Sequence, residues 1–132
     1  MTIRYATDED FKLLAEYDDN IAEEEMKGAI ARQRILVMFD GKKFVGWLRY
    51  NLFWDNIPFM NLLHVLKQRK GYGTQLVEFW EGEMRKQGYK FVLTSTQSDE
   101  EGQFFYRKLG YVDRGSLLLP EEPLEIIFYK KL

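Results

Sequence analysis

Residues 62–73 narrow the possible folds of this chain more than any other stretch. An apolar run, Leu62-Leu63-His64-Val65-Leu66, ends at Lys67-Gln68-Arg69-Lys70-Gly71-Tyr72-Gly73, and a helical pattern follows from Thr74 to about Gln87. A strand that turns through Gln-x-x-Gly-x-Gly into a helix presents backbone N–H groups at the positive end of the helix dipole, where an anion binds. Gly71 and Gly73 let a ligand approach the backbone with no Cβ in the way. The pattern points to a phosphate-bearing ligand. A glycine turn that only joins strand to helix, with no ligand, stays open at this point.

The flanking residues place this turn in a larger pattern. The helix after Gly73 carries an apolar stripe, Leu76, Val77, Phe79, Trp80 and Met84, with Arg85 and Lys86 near its negative end and Gly88 as its stop. Phe91 to Ser95 then reads as a strand, so strand, helix and strand make a βαβ unit with parallel strands. Upstream, Ile3 to Ala6 is a short strand. Asp8 is the expected cap of a helix bearing Phe11, Leu14 and Ala15, and a second helix runs from about Ile21 to Ala31. Arg34 to Asp40 and Lys43 to about Trp54 are strands joined at Asp40-Gly41, a type I′ hairpin signal. Phe59 to Leu66 is almost continuously apolar, which predicts burial on both faces.

Downstream, Ser98-Asp99-Glu100-Glu101 predicts a capping box for a helix that buries Phe105 and Leu109 and ends at Gly110. Two antiparallel strands close the chain, Tyr111 to about Leu119 and Glu125 to Lys130, around Pro120-Glu121-Glu122-Pro123. The expected class is therefore α+β, or mixed α/β. It has a mixed central sheet of about seven strands, helices on both faces and a central βαβ unit.

Composition removes several function classes. With 132 residues, 45% of them hydrophobic, the chain suits one domain over 1–132. A net charge of −2 supplies no field to recruit nucleic acid or an anionic membrane. No cysteine is present, which excludes disulfides, thiolate metal sites and cysteine nucleophiles, and one histidine is poor support for a metal centre. The first residues lack a signal-peptide core, and no window approaches the roughly 20 apolar residues of a membrane span, so the expected compartment is the cytoplasm. The Walker A pattern is absent, and the dinucleotide fingerprint fails because position 76 is Leu rather than Gly. No Gly-x-Ser-x-Gly elbow exists to build a hydrolase around His64.

What remains, Gln68-Arg69-Lys70-Gly71-Tyr72-Gly73 after a strand, resembles motif A of the GNAT superfamily of N-acetyltransferases. Phe105-Tyr106-Arg107-Lys108-Leu109-Gly110-Tyr111 is similar to that family's later motif, a helix bearing Phe-Tyr that ends at Lys-Leu-Gly. The order of elements agrees along nearly all of the chain. The resemblance implies a GNAT-like fold that binds acetyl-CoA as co-substrate. Residues Gln68, Arg69, Lys70, Gly71, Tyr72, Gly73 and Thr74 would hold its pyrophosphate, and a backbone N–H near Val65 or Leu66 would polarise the acetyl carbonyl.

Acetyl transfer to an amine needs donors for the carbonyl oxygen and a proton for the departing thiolate. By the motif match, Tyr106 is the expected acid and touches the cofactor. Asp99 falls where many relatives carry an Asn against the pantetheine arm, although helix capping is the plainer role for an Asp. No base is legible. His64 is a catalytic candidate, against its ordinary reading as a packed histidine. Asn51, Asn61 and Trp54 are candidates for holding substrate. Trp47, Tyr50 and Phe59 read either as cleft lining or as core. Asp18, Asp19 and Glu23 to Glu25 form an acidic stretch that either attracts a cationic acceptor or is a solvated face. The expected partner is a small-molecule or peptide amine, with no nucleic acid and no membrane. A homodimer is compatible with the sequence, which sets no oligomeric state. A non-catalytic CoA-binding or regulatory module with the same fold is the alternative.

Overall fold

The computed structural model describes residues 1–68 and 70–132. Its elements are β1 (Thr2–Tyr5), a 3-10 turn (Asp8–Asp10), α1 (Phe11–Tyr17), α2 (Glu23–Ala31), β2 (Ile35–Asp40), β3 (Lys43–Phe53), β4 (Ile57–Val65), α3 (Tyr72–Lys86), β5 (Phe91–Gln97), α4 (Gly102–Lys108), β6 (Val112–Leu117) and β7 (Glu125–Lys131). The seven strands form a sheet in the order β1-β2-β3-β4-β5-β7-β6. β4 and β5 run parallel, with Phe59 beside Leu93 and Met60 beside Thr94, so β4-α3-β5 is the expected βαβ unit. The pairs β1–β2, β2–β3, β5–β7 and β6–β7 are antiparallel. This is the mixed α/β class that the residue pattern predicts. Among the described residues no helix is long and apolar enough to cross a membrane.

The chain divides into two compact units, Met1–Asn51 with Leu62–Trp80, and Leu52–Asn61 with Glu81–Leu132. In the first unit, Leu14, Met26, Ile30, Ile35, Val37 and Trp47 form the centre of a core. The start of its first helix differs from expectation. The carboxylate of Asp10, rather than of Asp8, accepts the Thr7 N–H at 2.7 Å and is also held by Arg4 at 2.7 Å. The β2–β3 loop is Gly41-Lys42, because Asp40 already pairs with Lys43. Only Gly41 of the two has a positive φ, +63°, which is the II′ pattern rather than I′.

Gly46 of β3 lies tight against its neighbours. A Cβ there would stand 2.9 Å from the His64 carbonyl oxygen, 3.1 Å from Val65 Cγ1 and 3.3 Å from Leu76 Cδ1. A backbone oxygen on an adjoining strand cannot step aside like a side chain. Gly46→Ala is therefore expected to lower stability by about 1–3 kcal/mol, the range for overpacking a filled core. Urea denaturation checks this, and an unchanged midpoint would show that β4 yields freely.

In the second unit, Met60, Met84, Val92, Tyr106, Tyr111 and Phe128 are buried. Glu81 sits on the apolar stripe of α3 yet is only 2% exposed. It accepts the Tyr111 hydroxyl at 2.7 Å and pairs with Lys130 at 3.0 Å, so neither of its oxygens is left unsatisfied. The β3–β4 turn places Trp54 at φ +53° and Asp55 at φ +66°, a left-handed pair without glycine. β4 is not buried on both faces: Pro58 and Met60 are buried, whereas Asn61 and His64 are exposed.

Candidate active site

The glycine turn is built within the first unit. Gly71 has φ +76°, a left-handed conformation that L side chains rarely adopt, and a Cβ added to it would meet only Gln75 Nε2, at 3.9 Å. The turn therefore needs glycine for its backbone angle and not for lack of room. It delivers the chain into α3, whose first turn is closed by the Gln75 N–H on the Gly71 carbonyl at 3.1 Å. The N–H groups of Tyr72, Gly73 and Thr74 precede that bond and have no carbonyl within the helix to take them. Helix α3 spans 15 residues, long enough for a full dipole at that end.

The Tyr72 side chain is committed elsewhere. It is 8% exposed and its hydroxyl donates to Asp40 Oδ2 at 3.2 Å, tying the start of α3 to the β2–β3 turn. Burial first, and then this carboxylate, raise its phenol above the ordinary value. Only the backbone of Tyr72 remains for a ligand. Lys43, Lys67 and Lys70 line a cleft of about 270 Å³ together with Asp40, Val45, Leu66 and Tyr72. Gln68 and Lys70 are exposed. Arg69, expected in the same loop, lies outside the described residues.

The two N–H candidates on β4 separate cleanly. The Leu66 N–H donates to the Val45 carbonyl at 2.8 Å and is spent on β3. Successive N–H groups of a strand point to opposite edges, so that of Val65 faces away from β3. Leu66 thus drops out as a donor to the acetyl carbonyl, and Val65 keeps the role open. His64 is exposed and its ring lies 4.9 Å from that of Trp47. It is not the packed histidine of the ordinary reading.

Trp47 belongs to a network that the sequence did not announce. Asp18, 5% exposed, accepts Arg49 Nε at 2.8 Å, Trp47 Nε1 at 3.1 Å and the Asn20 N–H at 3.1 Å. Burial pushes the Asp18 carboxyl up, but these hydrogen bonds and the guanidinium charge outweigh it, and the group lies below the usual carboxylate range. Asp18 therefore does not belong to an acidic rim. Asp19, Glu23, Glu24 and Glu25 remain exposed. Trp47 and Tyr50 are core residues, and Asn51 is exposed on β3.

In the second unit Tyr106 is 6% exposed, and its hydroxyl donates to Met60 Sδ at 3.7 Å. The Thr94 hydroxyl donates to the Met60 carbonyl at 3.0 Å on the same patch. Desolvation raises the Tyr106 phenol to about 12, with Glu100 adding to the rise and Thr94 opposing it. Tyr111 meets the Tyr106 ring edge-on at 5.5 Å. Asp99 does not cap α4. That helix starts at Gly102 with Glu101 before it and no side-chain cap bond, while Glu100 turns back to accept the Gln97 N–H at 3.1 Å. Asn61 is exposed, and Trp54 is 75% exposed at the β3–β4 turn. Among the described residues no group of three acidic, histidine or cysteine side chains could hold a metal ion.

Comparison with known proteins agrees with this fold. A GNAT acetyltransferase from Bacillus cereus superposes with a TM-score of 0.79 at 24% identity, covering 98% of this chain and 96% of its own. Ard1 from Thermoplasma volcanium gives 0.83 at 17% identity, with 99% and 97% covered. PaiA N-acetyltransferase from Thermoplasma acidophilum, in complex with coenzyme A, gives 0.81 at 19% identity, with 99% and 98% covered. At these identities the likeness is one of fold. No curated protein matches the sequence. The model of the Acetyltransferase (GNAT) family matches residues 3–111, and with the glycine turn, the Phe-Tyr helix and the shared fold this chain belongs to the GNAT acetyltransferase family.

Proposed function

We propose that residues 1–132 act as one N-acetyltransferase domain that moves an acetyl group from acetyl-CoA to an amine of a small molecule or peptide. The observation that carries this reading is the Gly71 turn at φ +76°, which leads directly into the first N–H groups of α3. The residues present suit the donor. Backbone N–H groups of Tyr72, Gly73 and Thr74 would hold the pyrophosphate, and Lys67 and Lys70 add positive charge beside them. The coenzyme A bound to the Thermoplasma acidophilum relative supports the same donor here.

Bound acetyl-CoA supplies a thioester, and the chain's own groups would act around it. The Val65 N–H would donate to the carbonyl oxygen as charge grows there. Tyr106 would donate to the sulfur. With its phenol at about 12, Tyr106 keeps its proton throughout the physiological range. A thiol titrates near 8.5, so a separate proton transfer from Tyr106 to a thiolate would be uphill by about 5 kcal/mol. Tyr106 therefore serves best as a hydrogen-bond donor that stabilises charge on sulfur, or as an acid in a concerted step. A second reading, a CoA-binding module without catalysis, draws support from the Met60 Sδ contact, which also suits a packed tyrosine.

Thermal denaturation with acetyl-CoA, ATP and NAD in parallel tests the donor. Acetyl-CoA at a hundredfold excess over Kd should stabilise the fold by about 2.7 kcal/mol, several degrees in Tm, while the other two should not. Stabilisation by ATP with none by acetyl-CoA would overturn the reading. An amine screen with acetyl-CoA then identifies the acceptor.

A further inference from the structure

A buried carboxylate on α3 touches no reacting group, yet it holds the ring that faces Tyr106. The Glu81 side chain is 3% exposed, and Lys130, 22% exposed, pairs with its Oε1 at 3.0 Å. Its other oxygen, Oε2, accepts the Tyr111 hydroxyl at 2.7 Å. Glu81, Tyr111, Lys130 and Tyr106 all lie in the second unit. Burial first, and then the Glu81 charge, push the Tyr111 phenol well above its ordinary value, so Tyr111 keeps its proton and stays the donor.

Tyr111 is also joined to Tyr106 directly. Gly110, at φ +94°, ends α4 and turns the chain back. The Tyr111 N–H then donates to the Tyr106 carbonyl at 3.0 Å, and the Gly110 N–H to the Arg107 carbonyl at 3.1 Å. These are the two bonds of a Schellman motif, in which the first and last residues pack on one another. Here both are aromatic, and their rings meet edge-on at 5.5 Å.

The Tyr106 hydroxyl itself is held weakly. It donates to Met60 Sδ at 3.7 Å and interacts with the Thr94 side chain. Thioether sulfur is a weak acceptor. The direction of the phenol therefore depends on its ring neighbours, Phe105, Tyr111 and Phe128. Phe105 and Phe128 carry no polar atom. Tyr111 alone is pinned at its far end, and Lys130 keeps Glu81 in place by satisfying the oxygen that Tyr111 leaves. We infer that Glu81 and Tyr111 are positioning residues, whose hydrogen bond holds the Tyr106 ring at the angle from which its hydroxyl serves the CoA sulfur. This rests on the acetyltransferase reading and deepens it.

Tyr111→Phe, which keeps the ring and removes the hydroxyl, tests it in steady-state kinetics with an amine identified by the screen. kcat should fall by about 10- to 100-fold, the scale for a reacting group misplaced by up to about 1 Å. Calorimetric titration should find the Kd of acetyl-CoA unchanged. Glu81→Gln keeps an acceptor for the Tyr111 hydroxyl and should retain most of the turnover, whereas Glu81→Leu should fall as far as Tyr111→Phe. In a Tyr106→Phe background, Tyr111→Phe should cost nothing further in kcat, because the group it positions is already gone. The Tyr106 ring resonance of tyrosine-labelled protein reads the same effect without turnover, moving in Tyr111→Phe and holding in Glu81→Gln. A ring resonance unmoved in Tyr111→Phe overturns the inference. So does a Tyr111→Phe variant as fast as wild type, or one equally costly in both backgrounds, and in these cases the acetyltransferase reading stands. If Tyr106→Phe turns over like wild type, the donor role of Tyr106 falls first and takes this inference with it.

Discussion

Tyr106→Phe is expected to lower kcat by about 100-fold or more while leaving acetyl-CoA affinity unchanged, the span typical of a positioned proton donor. The change removes one oxygen from a 6% exposed side chain and leaves the ring contacts with Tyr111 and Phe128 in place. The hydrogen bonding lost from the folded protein is the O–H to sulfur contact at 3.7 Å together with the Thr94 side-chain interaction. Its removal should cost no more than about 1 kcal/mol. A large fall in turnover in a stable variant could then not be assigned to unfolding. Because desolvation holds the phenol at about 12, wild-type kcat should show no limb from Tyr106 at neutral pH. Steady-state kinetics with an identified amine, together with calorimetric titration of acetyl-CoA, supplies both halves of the comparison. Turnover equal to wild type would make Tyr106 a packing residue and remove it from the mechanism.

Asp18→Ala should be the most damaging single change to the fold, at about 3–5 kcal/mol, because it leaves a buried charge without its partner. The Arg49 side chain is 10% exposed and that of Asp18 only 1%. The guanidinium reaches Asp18 through Nε at 2.8 Å, and its remaining contact near the loop, to the Asn20 carbonyl, is long at 3.5 Å. Replacing both ends, as Asp18→Ala with Arg49→Met, should recover much of the loss, since no isolated charge then remains. Urea denaturation of the single and double variants checks this. A loss below about 1 kcal/mol for Asp18→Ala would mean that Arg49 finds water instead.

The same pair sets a dependence on pH. Hydrogen bonds and the Arg49 charge hold the Asp18 carboxyl below its usual range in the folded chain, despite burial acting in the opposite direction. The stability it confers is therefore present above the unfolded value of about 3.9 and is lost as pH falls through the lower, folded value. Asp10 is depressed likewise, chiefly by its hydrogen bond from Arg4. Wild type should weaken steeply in acid, and Asp18→Asn should show a shallower decline.

Patterns carried by near neighbours were legible. The stripe of Leu76, Val77, Trp80 and Met84 follows from the helical period, and all four are buried. The glycine turn follows from spacing alone, and so does the βαβ unit around it. Local reading failed where two local solutions compete. Asp40-Gly41 promised one hairpin type, and the pairing of Asp40 with Lys43 selected another. Ser98 to Glu101 promised a capping box, but Glu100 turns back to Gln97 and α4 starts later, so Asp99 loses the role expected of it.

By itself the sequence determined the family, the mixed class and the position of the glycine turn, because these rest on short motifs and on the order of local elements, where helix and strand periods act directly. Only the tertiary structure decided that the Leu66 N–H is spent on Val45, that Tyr106 meets Met60, that Asp18 answers Arg49 and that Glu81 answers Tyr111 and Lys130. Those partners stand some 20 to 50 positions apart in the chain, and no local period brings them together. Their hydrogen bonds exist only once the strands and helices have packed, and that packing settles which polar groups are satisfied and which stay open to a substrate.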